Sequence, residues 1–224
     1  MRGYVKLPDS AITFPVSGID CAFSSDGRYL AVIRRESPSV IIYKRNGDEF
    51  IKLDDPVDLP KVSSTSGGCS LTQDGSYLAV AHVEPPYITI YKRSGDTFVK
   101  LDDPAIVPTN WGFDCAFTQD GSYLAVAHED SPFISIYKRN GDTFVKLSNP
   151  TVLPPRRGQV CSFTQDGLYL AVTYTRSPYV SIYKRSGDTF MYVDSPDVPN
   201  PNVRKCSFSP DGAYFAITSA MQMG

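Results

Sequence analysis

The chain contains only two histidines, and each stands two residues before a carboxylate. His82 precedes Glu84 and His128 precedes Asp130. Imidazole and carboxylate groups are ligands that zinc accepts in proteins, so this spacing raises a metal site as a hypothesis. Copies of the same segment elsewhere in the chain carry arginine and tyrosine at the histidine position, and neither completes a ligand ring. We therefore predict that both pairs belong to a polar loop surface and that no metal binds there.

Five cysteines recur at intervals of 48, 46, 46 and 45 residues: Cys21, Cys69, Cys115, Cys161 and Cys206. Thiolates can ligate metals or act as nucleophiles. A disulfide framework in a small secreted protein is not spaced so evenly. The regular interval instead predicts that one structural position is filled five times. We expect reduced thiols that pack as small apolar side chains, with a ring of metal-binding thiolates as the alternative.

Paired carboxylates are the remaining candidates for acid–base chemistry. Asp54-Asp55 and Asp102-Asp103 occupy equivalent positions, but later copies carry Ser148-Asn149 and Asp194-Ser195 there, which favours a role in turns. The sequence shows no Ser-His-Asp set, no phosphate-binding glycine loop and no zinc-finger spacing. The prediction is that the chain has no catalytic residue, needs no cofactor and is not an enzyme.

The elements that position these residues repeat about every 46 residues. Aligned on the cysteines, the first part of each copy reads CAFSSDGRYLAV, CSLTQDGSYLAV, CAFTQDGSYLAV, CSFTQDGLYLAV and CSFSPDGAYFAI. The next part reads VIIYKRNGDEFIKL, ITIYKRSGDTFVKL, ISIYKRNGDTFVKL and VSIYKRSGDTFMYV. Each copy supplies four β-branched and aromatic segments, here named strands a to d. Asp-Gly joins a to b, and Asn-Gly or Ser-Gly joins c to d, as in tight hairpins.

A period in the mid-forties with four strands per repeat is typical of a β-propeller. We predict an all-β fold with four-stranded antiparallel blades, five in number, of which the closing blade is incomplete. The expected boundaries are 21–68, 69–114, 115–160 and 161–205 for the four full blades. Residues 1–20 would give strand d of the closing blade, and residues 206–224 its strands a and b.

Composition excludes several classes of function. The chain has 224 residues, 42% of them hydrophobic, and a net charge of −2, so nothing indicates binding to nucleic acid. No apolar run approaches the roughly 18–20 residues of a spanning helix. The first six residues lack the apolar stretch of a signal peptide. We expect a chain made in the cytoplasm, with no membrane span.

Strand parity divides the surface into two faces. The a–b and c–d turns share one face, here called the turn face, and their sequences are nearly constant. The b–c loops and d–a connections share the other, here called the loop face, and these sequences vary between copies. Loops on a rigid scaffold commonly carry binding residues, although drift is the alternative explanation. The predicted partner-binding residues on the loop face are Arg34, Arg35, His82, Glu84, Trp111, His128, Asp130, Arg156, Arg157, Tyr174 and Arg176.

Two strings carry a resemblance to known repeats. "SPDGAYFAI" and "TQDGSYLAVAH" resemble the strand a–b hairpin of WD-like propellers. The longer string "FTQDGSYLAVAHEDSPFISIYKRNGDTFVKL" resembles propeller repeats of bacteriophage tail and virion proteins. The Trp-Asp pair that ends strand c in WD repeats is replaced by Tyr-Lys, so mechanisms tied to that pair do not transfer. The resemblance implies a non-catalytic scaffold for protein binding, structural or adhesive in a phage particle, and located in the virion if a phage encodes it.

The sequence does not supply every strand that a closed five-bladed ring needs. Residues 3–7 match strand d, and residues 206–218 match strands a and b, so strand c of the closing blade is missing. An open strand edge invites pairing with a partner. The alternatives are a gap, a strand donated by another chain, or a chain that is part of a larger propeller. We predict a protein partner or self-association through this blade.

Two other functions compete with the scaffold. A lectin-like propeller that binds glycans would repeat its pocket residues in every blade, but Trp111 has no counterpart in the other copies. An enzyme with its site on the loop face would show a convergent polar cluster near the mouth of the channel. Whether such a cluster forms depends on the tertiary structure.

Overall fold

A computed structural model describes residues 17–63, 67–196 and 203–219 of the chain. These residues form eighteen β-strands and contain no α-helix. Among the residues described, no helix is long and apolar enough to cross a membrane. The predicted strand d within residues 1–20 falls almost entirely outside the described part of the chain.

The first sixteen strands form four antiparallel sheets of four consecutive strands each. Blade 1 contains β1 (Gly18–Phe23), β2 (Tyr29–Arg34), β3 (Val40–Asn46) and β4 (Glu49–Lys52). Blade 2 contains β5 (Cys69–Leu71), β6 (Tyr77–Ala81), β7 (Ile88–Ser94) and β8 (Thr97–Lys100). Blade 3 contains β9 (Gly112–Phe117), β10 (Tyr123–His128), β11 (Ile134–Asn140) and β12 (Thr143–Lys146). Blade 4 contains β13 (Gly158–Phe163), β14 (Tyr169–Tyr174), β15 (Val180–Ser186) and β16 (Thr189–Asp194).

The fifth sheet has two strands in the described residues. β17 (Val203–Phe208) pairs antiparallel with β18 (Phe215–Ser219). The predicted all-β propeller of four-stranded antiparallel blades is therefore confirmed, with a fifth sheet of which the described residues supply two strands. Strand a begins earlier than the cysteine in four blades, at Gly18, Gly112, Gly158 and Val203.

The a–b turn is stabilised in the same way in successive blades. In blade 3 the Thr118 hydroxyl donates to Asp120 Oδ1 at 2.6 Å, and the Ser122 amide donates to the same oxygen at 3.0 Å. Gly121 follows with φ of 66°, a left-handed conformation that glycine adopts without steric cost. These hydrogen bonds stabilise the hairpin through residues of the turn itself, so the Asp-Gly motif is sufficient to predict the turn.

The core lies between blades rather than within one sheet. β6 is buried at every residue, because a central strand of a blade is covered on both faces by the neighbouring blades. One cluster joins Ala79 and Ile90 of blade 2 to Cys115 and Leu124 of blade 3. Cys69, Cys115 and Cys161 are buried, and all five cysteines are free thiols. The thiols therefore occupy equivalent positions on the inner strands.

Neighbouring blades are also joined by a polar contact on the turn face, here called the interblade latch. Between blades 2 and 3, Asp142 accepts hydrogen bonds from the Tyr77 hydroxyl at 2.6 Å and from the Lys92 ammonium at 2.7 Å. The Arg139 guanidinium lies over the Tyr77 ring at 4.8 Å. The same positions meet in the two flanking junctions: Tyr29, Lys44, Arg93 and Asp96; Tyr123, Lys138, Arg185 and Asp188. The Lys-Arg turns therefore join neighbouring blades.

Blades 5 and 1 meet only partly in the described residues, and their junction is here called the seam. At the loop face, Lys205 Nζ of β17 donates to Asp20 Oδ1 of β1 at 2.6 Å. At the turn face, Tyr214 is 76% exposed, whereas the equivalent Tyr77 is 7% exposed. Phe23, whose equivalent Phe117 is buried, is 55% exposed. The seam therefore leaves uncovered the aromatic surface that the complete junctions bury.

Candidate active site at the channel mouth

The inner strands surround a channel that opens on the loop face into a cavity of about 670 Å³. Its wall is formed by the first residues of the inner strands and by residues of the loop face next to them. The lining residues are Gly18, Ile19, Arg35, Gly67, Trp111, Phe113, Asp114, Arg157, Gln159, Val160, Val203, Arg204 and Lys205. Four of these side chains are cationic and one is a carboxylate. Lys205 and Arg157 pair with carboxylates beside the cavity, whereas Arg35 and Arg204 have no carboxylate partner among the described residues.

Asp114 is the buried carboxylate of this cavity, with 6% of its surface exposed. Its Oδ2 accepts a hydrogen bond from the Cys161 amide of the next blade at 3.1 Å. Gly68 of the preceding blade makes room for the carboxylate, since a β-carbon there would overlap it. Burial raises the pKa of Asp114 to about 7, although the positive charge of Lys205 acts in the opposite direction. Near neutral pH this group can therefore both accept and release a proton.

Asp20 and Lys205 meet at the seam, and both of their charges act on the pKa of Asp114. Asp20 Oδ2 accepts a hydrogen bond from the Cys69 amide at 3.0 Å, the same type of contact that Asp114 makes. Burial lowers the pKa of Lys205, but the nearby Asp114 and Asp20 carboxylates outweigh it and leave this pKa raised. Lys205 is therefore an ammonium ion at neutral pH, held at 2.6 Å from Asp20 and close to the channel.

The rim of the cavity combines cations with aromatic surface. Arg157 lies over the Phe113 ring at 5.3 Å and pairs with Glu129 at 3.3 Å. Trp111 is 47% exposed, and its carbonyl accepts a hydrogen bond from the Glu129 amide at 3.0 Å, which anchors the connection before β9. This rim can hold an apolar ring system while attracting a negative charge.

One buried polar atom in the cavity wall lacks a partner among the described residues. Gln159 Oε1 is inaccessible to solvent and makes no hydrogen bond there. Leaving such an acceptor unpaired costs free energy. Within the described residues, no three His, Cys, Asp or Glu side chains form a group that could hold a metal ion.

Three of the predicted partner-binding residues are buried, and the prediction of an exposed surface at these positions is wrong. His82 is 2% exposed, His128 is fully buried and Tyr174 is 1% exposed. Each side chain bonds to a hydroxyl one strand away; for His128 the distance from Nε2 to Ser135 Oγ is 3.0 Å. The reason is that each of these residues lies at the end of strand b or directly after it, between two covering blades. Burial lowers the pKa of both histidines to about 4.

Three others stabilise their own surroundings on the loop face. The Arg34 guanidinium donates to the carbonyls of Pro38 and Ser37 at 2.8 and 2.6 Å, which fixes the b–c loop of blade 1. Glu84 pairs with Lys61 at 2.8 Å. Asp130 accepts a hydrogen bond from Asn110 at 3.0 Å.

The remaining five predicted residues lie on the loop face. Arg35, Trp111 and Arg157 come together in the channel-mouth cavity. Arg156 lines a shallower depression beside it, together with Glu129, Asp130 and Phe133. Arg176 is exposed in the b–c loop of blade 4. Binding of a partner by these residues stays a prediction.

Sequence reasoning missed Asp20, Asp114, Gln159 and Lys205. The signal was present in the residue before each cysteine, which reads Asp20, Gly68, Asp114, Val160 and Lys205 in otherwise similar strands. Variation on an inner strand, where the rest of the repeat is nearly constant, marks the wall of the channel. Comparison of loops alone directed attention to the periphery.

Comparison with solved structures supports the architecture. The chain resembles Kuenenia stuttgartiensis hydrazine synthase with a TM-score of 0.64 and 16% sequence identity. The likeness covers 97% of this chain and 59% of that chain, so this chain spans little more than half of its relative's length. At this identity the likeness shows the propeller fold alone. No curated protein matches the sequence.

A family model described as "Lactonase, 7-bladed beta-propeller" matches residues 20–149. This match overturns two predictions, namely a non-catalytic scaffold of a phage particle and the absence of enzymatic activity, because the family is named for a hydrolytic reaction. The predicted WD-like and phage-type character is not shown by these matches; what they support is the coarser β-propeller assignment. Since the match spans more than half of the sequence, the chain belongs to the lactonase seven-bladed β-propeller family.

Proposed function

We propose that the chain is a hydrolase that opens the ring of a small lactone at the channel mouth, and that it prefers lactones carrying a negative charge. The observation that carries this proposal is the buried Asp114 carboxylate, with a pKa of about 7, in a cavity lined by four cationic side chains. The family match supplies the reaction class. The convergent polar cluster at the channel mouth is the feature expected of an enzyme with its site on the loop face.

The proposed chemistry uses Asp114 as a general base. Its carboxylate takes a proton from water while the water oxygen bonds to the lactone carbonyl carbon. Negative charge then develops on the carbonyl oxygen, where the Lys205 ammonium or a rim arginine stabilises it. The ring C–O bond breaks next, and the leaving oxygen receives the proton from Asp114. The product is a hydroxy acid, and Asp114 returns to its ionised form.

The rim determines the expected substrate preference. Arg35 and Arg204 are exposed at the cavity and have no carboxylate ion-pair partner among the described residues. A carboxylate or phosphate substituent on the lactone would meet these charges, whereas a neutral lactone would leave them hydrated. Trp111 and Phe113 offer the apolar surface on which the ring can rest.

The test is hydrolysis of a panel of γ- and δ-lactones, with and without a carboxylate substituent, followed by acid release. We expect the charged lactones to show a kcat/KM roughly 10-fold above their neutral counterparts, equivalent to about 1.4 kcal/mol. Asp114→Asn should lower kcat by about 100-fold or more, the usual contribution of a general base. For the wild type, kcat/KM should rise with pH and level off above about 7, as Asp114 ionises.

Asp130→Asn is the matched control, since this exposed carboxylate lies on the same face outside the cavity lining. It should leave the rate unchanged. Turnover of no lactone above the uncatalysed rate would overturn the proposal, and so would full activity in a folded Asp114→Asn variant.

A further inference from the structure

One position on strand a differs from blade to blade in its charge. It is the residue before each cysteine, and from blade 1 to blade 5 it is Asp20, Gly68, Asp114, Val160 and Lys205. In every blade except blade 2, a shift in the register of strands a and b directly precedes this residue. Such β-bulges redirect side chains. Asp114, Val160 and Lys205 line the channel-mouth cavity, whereas Asp20 does not, so this position determines which charges a ligand meets there.

Asp20 and Lys205 differ in their access to the cavity. The Lys205 side chain belongs to the lining and is 51% exposed, whereas the Asp20 side chain is only 11% exposed. Both oxygens of Asp20 are engaged. Oδ1 accepts a hydrogen bond from the Lys205 ammonium at 2.6 Å, and Oδ2 accepts one from the Cys69 amide of blade 2 at 3.0 Å. Asp20 is therefore anchored to its neighbouring blade, and it can influence a ligand only through Lys205.

The four cations of the cavity are held in different ways. Arg157 is already paired with a carboxylate at the rim. Arg35 and Arg204 are exposed and have no carboxylate partner among the described residues. Lys205 is held by a carboxylate that is itself fixed, and Asp20 takes one of the three N–H donors that an ammonium group offers. A group stabilises a developing charge best when it is oriented before the reaction, and Lys205 meets this condition better than the two unpaired arginines.

The charges of Asp114 and Lys205 act on each other. Burial is the largest influence on both groups, and it raises the pKa of Asp114 and lowers that of Lys205. The next largest influence is the charge of the other group, since Lys205 lowers the pKa of Asp114 and Asp114 raises that of Lys205. Asp20 raises the pKa of both. The other titratable groups that interact with Asp114 are thiols whose pKa burial raises, so that they stay neutral: Cys115, Cys161 and Cys206.

We propose that Lys205 is the group that stabilises the negative charge on the lactone carbonyl oxygen and that Asp20 is its positioning residue, whereas Arg35 and Arg204 hold the charged substituent of the substrate. This inference rests on the proposed hydrolysis and assigns its cations to separate roles. Lys205 donates one N–H to Asp20 and another to the carbonyl oxygen. The ammonium keeps all its protons, and the proton of the attacking water goes to Asp114.

The first test is Lys205→Ala, assayed with a charged lactone and its neutral counterpart. The kcat should fall by about 100-fold for both substrates, the usual loss when one donor to a developing oxyanion is removed. Ethylammonium chloride should restore part of the lost kcat, and sodium chloride at the same concentration should not, because only the first supplies an ammonium group to the vacated space. Arg204→Gln should instead raise the KM of the charged lactone.

The second test is Asp20→Asn, which keeps an acceptor for the Cys69 amide and removes the charge beside Lys205. The kcat should fall by about 10-fold or more through misplacement of the ammonium group, with little change in KM. The pH midpoint of kcat/KM should shift below that of the wild type, because the charge of Asp20 raises the pKa of Asp114. A loss of packing alone would not move this midpoint.

Asp96→Asn is the matched control, since it removes the carboxylate of another aspartate–lysine pair between blades, with Lys44 at 2.7 Å on the turn face. It should leave both kcat and the pH midpoint unchanged. An unchanged kcat in Lys205→Ala overturns this inference alone if the wild type hydrolyses lactones. A loss that ethylammonium does not restore, together with an unchanged midpoint in Asp20→Asn, also overturns it, since both residues would then be structural. Absence of lactone hydrolysis by the wild type overturns the proposed function and this inference together.

Discussion

At the scale of single residues, the channel mouth differs from the rest of the molecule in where it places charge. Elsewhere the carboxylates hold turns or pair with lysines on the surface, where an ion pair contributes little to stability. Asp114 instead lies in the wall of the channel, between Gly68 of one blade and the Cys161 amide of the next. Its burial raises the cost of ionisation, and its neighbours Asp20 and Lys205 act in opposite directions on that cost. The result is a carboxyl group that titrates near neutral pH.

This burial predicts a pH dependence of folding stability. The pKa of Asp114 is about 7 in the folded chain and about 3.9 in an unfolded one. The folded state therefore binds the proton more tightly, and the associated stability is fully present below pH 3.9 and is lost as pH rises to 7. Asp114→Asn removes this loss. Urea unfolding between pH 4 and 8 measures this effect. The free energy of unfolding of the variant, relative to that of the wild type, should increase by roughly 2–4 kcal/mol up to pH 7 and stay constant above it.

His82 and His128 give the stability of both the wild type and the Asp114→Asn variant the opposite pH dependence. Burial lowers the pKa of each to about 4, so their contribution is lost as pH falls from about 6.5 to 4. Because both proteins carry these histidines, their contribution cancels in the difference. A difference that does not change with pH would show that Asp114 is ionised throughout this range and does not titrate near neutral pH.

At the scale of elements, the structure of a blade depends on its turns and on the contacts that these turns make with the neighbouring blade. Two glycines with the same left-handed conformation illustrate this. Gly121 ends the a–b turn of blade 3, where a β-carbon would lie 2.7 Å from Thr72 of blade 2. Gly141 lies in the c–d turn, where a β-carbon would meet nothing within 4 Å. The first glycine serves the turn and the junction, and the second serves the turn alone.

The two glycines therefore predict different costs on substitution. Gly141→Ala should lower the free energy of unfolding by about 1 kcal/mol, the cost of a left-handed conformation for an L residue. Gly121→Ala should lower it by roughly 1–3 kcal/mol more, because the added methyl group overpacks against buried Thr72. Urea unfolding measures both. Equal losses would show that the a–b turn does not contact the preceding blade as closely as described.

At the scale of the whole molecule, the seam is where the chain departs from its own repeat. Lys205 and Asp20 bring blades 5 and 1 together at the loop face, but the aromatic residues nearer the turn face stay uncovered. Cys21 is exposed beside this seam, whereas Cys69, Cys115 and Cys161 are buried at the complete junctions. Burial raises the pKa of each of these three thiols well above its ordinary value, which makes them unreactive as well as inaccessible.

Thiol labelling should therefore distinguish the cysteine beside the seam from those buried at the complete junctions. In the native protein, Cys21 should react with a water-soluble thiol reagent first, and Cys69, Cys115 and Cys161 only after unfolding. Unfolded, non-reduced protein should give five thiols per chain. Cys21→Ser should remove the fast phase, and Cys115→Ser should leave it unchanged. Uniform reactivity of all five thiols in the native protein would mean that the junctions do not differ as described.

What the sequence determined by itself was the repeated unit. The Asp-Gly and Ser-Gly turns, the alternation of strand a and the spacing of the cysteines depend on contacts within about ten residues, and these predict four strands per blade and the parity of the two faces. Burial of His82, His128 and Tyr174 was not predicted, because it depends on how far a central strand extends between two covering blades. Only the tertiary structure placed Asp114 and Lys205 in the wall of one cavity and paired Lys205 with Asp20, since the three residues come from blades 3, 5 and 1. Carboxylates up to 185 positions away in the chain then raise the pKa of Lys205, an effect that no local pattern encodes.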